Sequence, residues 1–142
     1  MGRTKPSQAN LRRAVSSAYY ALFHCLARSG TDLLVGGAGA ERSKPAWRQV
    51  YRALDHGTAK AACGDGRLLS RFPKPIEDFG NVFLTLQKKR HSADYDPFVR
   101  LTRSDVLQDI ATAEQAIRGF SAAALKDRRA FCTLVLFKKR HT

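Results

Sequence analysis

The sequence predicts an all-α fold of four to five helices in an up-and-down bundle. Two observations predict it. Apolar residues recur at intervals of 3 and 4 in successive segments, the spacing that lines one face of an α-helix. No segment shows the strict apolar/polar alternation or the β-branched enrichment of a strand. Helices with one apolar stripe each must bury those stripes against one another, which makes a bundle.

Taken in order, the first helix is predicted from about Ser7 to Ser29. Leu11, Val15, Tyr19, Leu22, Phe23 and Leu26 share one face, Ser7 is the N-cap and Gly30 the stop. Residues 30–45 are rich in Gly and Ala without a period and read as a loop. Pro45 opens a second helix, AWRQVYRALDHGTAKAAC, with Trp47, Val50, Tyr51 and Leu54 as its apolar face and Gly57 tolerated inside it. GDGRLLSRFPKP interrupts, and a third helix begins near Pro75 with the stripe Ile76, Phe79, Phe83 and Leu86. Ser104 precedes a fourth, striped by Val106, Ile110, Ala113, Ile117 and Phe120, with Asp105 and Asp109 early enough to favour the helix dipole. DRRAFCTLVLFKKRHT is apolar between basic flanks and poor in β-branched residues, and is predicted as a fifth helix. No internal repeat is visible. The expectation is one domain over 1–142, with a core at about 7–125 and a basic C-terminal segment at 126–142.

Composition bounds the function classes. At 142 residues the chain can bury one sizeable core. It has no run of about 18 apolar residues, so no membrane span is expected. MGRTKPSQANLRR has no apolar stretch behind its charges, which argues against a secretory signal and for a cytoplasmic location. Cys25, Cys63 and Cys132 are scattered and odd in number, without CxxC or Cys/His spacing. Neither a disulfide framework nor a metal site is expected, and no cofactor is indicated. The net charge is +13 and the pI about 10.3, which favours RNA or another polyanion as partner.

One charge stands where an apolar residue is due. Ile76, Phe79, Phe83 and Leu86 step by 3, 4 and 3, and a further step of 4 reaches Arg90, in the stretch RHSADYDP. Arg90 thus points along the buried stripe, where an unpaired guanidinium is costly. Asp94, Asp96 and the Tyr95 hydroxyl are its candidate partners. An Arg–Asp lock and a functional site are both open readings. A second set, Arg12, Ser16, Tyr20 and His24, recurs every four residues beside the apolar face of the first helix. It reads as a half-buried hydrogen-bond network. A third line, Arg48, Arg52, His56 and Lys60, reads as a solvated basic face.

RRAVSSAYYALFH on the first helix, followed by RHSADYDP at the end of the third, resembles the HEPN superfamily (higher eukaryote and prokaryote nucleotide-binding). The likeness is to small bacterial members with RRAxxxAYYAxFH and RxxADYD segments. It rests on Arg12, Arg13, Ala18, Tyr19, Tyr20, Phe23 and His24, then Arg90, Ala93, Asp94, Tyr95 and Asp96, and spans about residues 7–125. The resemblance implies a helical bundle, usually a homodimer. It also implies one of two function classes. The first is a metal-independent ribonuclease, often the toxin of a toxin–antitoxin or defence pair. In it Arg90 would hold phosphate and His91 or Tyr95 would move protons, work suited to a fixed cation and a group titrating near neutrality. The second is a non-catalytic dimeric binding or regulatory module paired with a nucleotidyltransferase, with Tyr95 a modification candidate. The family's nuclease pattern, an arginine and a histidine separated by four to six residues, is not intact here: no histidine lies five to seven positions after an arginine. Tyr95 stands at the fifth position after Arg90, and His91 is adjacent to it.

Overall fold

A computed structural model describes residues 7–138. Among them are seven helices and no strand: α1 (Gln8–Val35), α2 (Lys44–Ala53), α3 (His56–Cys63), α4 (Gly66–Leu69), α5 (Lys74–Tyr95), α6 (Arg103–Ala122) and α7 (Leu125–Leu136). The all-α expectation holds. None of these helices is long and apolar enough to cross a membrane. The basic end of the predicted fifth helix, from residue 139, lies outside the described residues.

The three long helices α1, α5 and α6 pack on one another. α2 packs on α1, α3 on α5, and α7 on both α1 and α3. The predicted stripes of α1, α5 and α6 supply the core, whereas Trp47, Val50 and Tyr51 of α2 stay half-buried. Tyr19 and Leu22 of α1, Phe79 and Phe83 of α5, Phe120 of α6 and Phe131 of α7 are wholly inaccessible. Phe79 and Phe120 lie 4.6 Å apart between ring centroids, joining α5 to α6. A smaller apolar group, Leu11, Val15, Ala93 and Val106, sits beneath the α5–α6 connection. It seats the end of α5 that carries Arg90 against the start of α1.

Among the described residues seven helices stand where four to five were expected, with α4 inside the stretch expected as an interruption and α7 ending at Leu136, short of its basic flank. Three further boundaries differ, each for a local reason. Ser7 caps α1 as predicted, its hydroxyl accepting from the Asn10 amide at 3.1 Å. The helix, however, passes through Gly30 and ends at Gly36, whose φ of 125° suits glycine. Gly30 answers a packing demand instead: a Cβ there would lie 2.9 Å from Leu136 Cδ1 on α7. The predicted second helix is two helices. Leu54 turns to extended backbone and is buried, and Asp55 caps α3 by accepting from the Gly57 amide at 2.8 Å. The fourth predicted helix starts earlier than Ser104. Its N-cap is Thr102, which accepts from the Asp105 amide at 3.2 Å.

Candidate functional site

Arg90 lies on the inner side of α5 with its side chain 17% exposed. Its Nη1 donates to the Tyr20 hydroxyl at 3.0 Å and stands 3.6 Å from Asp94 Oδ2. The guanidinium also sits over the rings of Tyr19 and Tyr20, 5.2 and 5.5 Å from their centroids. Its Nε is buried without a hydrogen-bond acceptor, and these two ring faces are what it has in place of one. The other Asp94 oxygen accepts from Ser16 Oγ at 3.0 Å. Ser16 and Tyr20, one turn apart on α1, therefore meet Asp94 and Arg90, one turn apart on α5, in a chain of four side chains.

Arg12, one turn earlier on α1, serves the backbone. It donates to the carbonyls of Ala93 at 2.6 Å and Asp96 at 2.9 Å, and its other nitrogen donates to that of Val99. The Ala93 carbonyl, in the last turn of α5, lacks an intrahelical donor, and those of Asp96 and Val99 lie in the turn beyond; one fork of N–H groups reaches all three. Gln8 extends the seam, accepting from the Leu101 amide at 2.9 Å and donating to its carbonyl at 2.8 Å. Asp96 is not a partner of Arg90. Its carboxylate accepts from the Phe98 amide at 2.9 Å and shapes the turn after α5.

His24, the last of the α1 line, is exposed and turns to α2, its Nδ1 2.7 Å from the Tyr51 hydroxyl. His91 and Tyr95 are also exposed, with ring centroids 4.8 Å apart, on the outer side of α5. Because α5 continues to Tyr95, neighbouring residues diverge by about 100°. Arg90 faces in while His91 faces out.

His56 is the residue that sequence reasoning missed. It does not extend the basic line of Arg48 and Arg52, because the Asp55 cap starts a new helix and turns it inward. Its Nδ1 is 2.5 Å from the Tyr19 hydroxyl, and its ring stacks on Phe23 at 4.0 Å between centroids. Burial, then the nearby Arg90 charge, hold its pKa below the ordinary histidine value, with Asp55 opposing and His24 adding to the fall. Burial also pushes the Tyr19 phenol well up, partly offset by Arg90. Both groups are neutral near pH 7. The available signal was the D-H-G-T run, an aspartate followed by the small and hydroxyl residues that its side chain bonds.

Beside this network lies a depression of about 280 Å³ lined by Lys60, Gln87, Lys88, Arg90, His91 and Ser92. Its charged lining is cationic and includes no carboxylate, so it suits an anionic ligand. Among the described residues no group of three or more His, Cys, Asp or Glu side chains could hold a metal ion. Comparison with models of known families, with curated proteins and with solved structures gave no match.

Proposed function

We propose that the chain is a HEPN-like module that binds RNA without cleaving it. One observation carries the reading: Arg90, the only member of the RxxADYD segment facing the interior as a cation, is held by Tyr20, Asp94 and two aromatic faces. Phosphate at its Nη1 would compete with Tyr20 and Asp94, which already engage that nitrogen. The +13 charge, with Lys60 and Lys88 in the carboxylate-free depression, supplies the attraction for RNA. Homodimerisation and a nucleotidyltransferase or antitoxin partner belong to the same proposal through the resemblance in RRAVSSAYYALFH and RHSADYDP.

The ribonuclease reading keeps one point in its favour. The neutral imidazole of His56 and the guanidinium of Arg90 flank the same two tyrosine rings, at 5.6 and 5.9 Å for His56. Incubation with total RNA and a tRNA pool in excess chelator separates the readings. The expected outcome is RNA that is shifted in a gel but intact. Arg90→Ala should lower stability by about 2 kcal/mol in urea melts, from a lost hydrogen bond and ion pair, while RNA retention changes little. Fragments made by the wild type, and lost in a folded His56→Ala variant, would establish the nuclease instead.

A further inference from the structure

We propose that Tyr95 and Phe98 form a stacking ledge for the bases of single-stranded RNA, with Lys88, Arg100 and Arg103 holding its phosphates. The proposal rests on the RNA-binding reading above and names the form of RNA that binds. Phe98 is 88% exposed and Tyr95 69%, a placement that costs apolar hydration and contributes nothing to the core.

The segment that carries Phe98 is held firmly. Arg12 grips three carbonyls from Ala93 to Val99, Gln8 pairs with Leu101 in both directions, and the Asp96 carboxylate binds the Phe98 amide itself. The backbone is fastened from behind by α1, and the two rings are presented outward. A backbone held in place before binding has little freedom left to lose when a base stacks on the ring it carries.

Charge selects the partner. Lys88, His91 and Tyr95 are spaced 3 and 4 apart along one side of α5, and Arg100 and Arg103 follow Phe98. Lys88, Arg100 and Arg103 make no ion pair among the described residues. The nearby acids are largely committed: Asp94 to Arg90 and Ser16, and Asp96 to the turn. Asp105 remains, in the first turn of α6. Two exposed rings, with Lys88 on the same side of α5 as Tyr95 and with Arg100 and Arg103 shortly after Phe98 in the chain, match a strand that offers a π-face and a phosphate at each step. They are a poor match for the continuous apolar stripe of a partner helix. Lys88 to Tyr95 spans about 10 Å of helix, the length of about three stacked nucleotides.

The test is fluorescence anisotropy with a short labelled single-stranded RNA, its blunt duplex and an abasic strand of the same length. Phe98→Ala should weaken the single strand about tenfold, the size of one lost base stack, and Phe98→Trp should restore it. The wild type should bind the abasic strand and the duplex more weakly than the single strand. Replacing Arg100 and Arg103 by Ala should flatten the dependence of binding on salt. Equal binding by the wild type, Phe98→Ala and Tyr95→Ala would overturn the ledge and leave RNA binding standing. No RNA binding by the wild type would remove both. Conversion of a dimer to a monomer by Phe98→Ala, read by light scattering, would overturn the ledge by assigning the ring to a second copy of the chain.

Discussion

Arg90 and His56 are half-hidden polar residues that meet the same pair of tyrosines, yet they respond differently to pH. An arginine side chain stays protonated in proteins. His56 is held neutral by burial and by that fixed charge, so its folded pKa lies below the ordinary value of about 6.5. The unfolded chain therefore binds a proton more readily at this position. The stability contributed by neutral His56 is complete above pH about 6.5 and declines as pH falls through that value toward the lowered one. Urea midpoints measured from pH about 8 down to about 5 should drop more steeply for the wild type than for His56→Asn, which keeps an acceptor near the Tyr19 hydroxyl and does not titrate. Parallel curves would mean that His56 titrates alike in the folded and unfolded chain.

Helix boundaries were decided by side chains that bond the backbone, and two of them stood close to rival candidates. α6 could begin after Thr102 or after Ser104, since both residues cap well. The hydroxyl that reaches an orphan amide is that of Thr102, while Ser104 lies already within the helix, 3.4 Å from the Thr102 oxygen. Thr102→Ala should cost about 1 kcal/mol, and Ser104→Ala no more than about 0.5 kcal/mol, by chemical denaturation. The reverse order would put the start of α6 at Ser104. The same competition broke the second predicted helix, where the Asp55 carboxylate outbids helical continuity and the buried Leu54 anchors the joint.

At the scale of the whole molecule, α7 completes the core. Phe131, Cys132 and Val135 are buried, and Gly30 of α1 leaves the room that Leu136 fills. Cys63 of α3 and Cys132 of α7 are both enclosed in this core, and burial pushes both thiols up to about 12. A thiolate at either site requires the fold to open. At pH about 8, close to the free-thiol pKa, a thiol reagent should modify partly exposed Cys25 first. Modification of Cys63 and Cys132 should follow at the rate of global opening and rise with urea. Fast labelling of either in the native protein would indicate a looser core. The three thiols are free, so no covalent tie contributes to that stability.

The sequence by itself determined the helical class, the buried stripes of α1, α5 and α6 and the inward position of Arg90, and it offered Asp94 as one of three candidate partners. These follow from periodicity, because a 3.6-residue repeat assigns each side chain to a face before any packing is known. It also made Arg12, Ser16 and Tyr20 legible as a polar line, though not what each would bind. Tertiary structure alone decided that Arg12 serves the carbonyls beyond α5, that Tyr20 rather than Tyr95 meets Arg90, and that His56 turns inward. It likewise decided that Gly30 is a contact with α7 and not a stop. Those outcomes depend on which elements come together across long separations in the chain and on where a cap interrupts a helix. Phase along one helix carries no information about either.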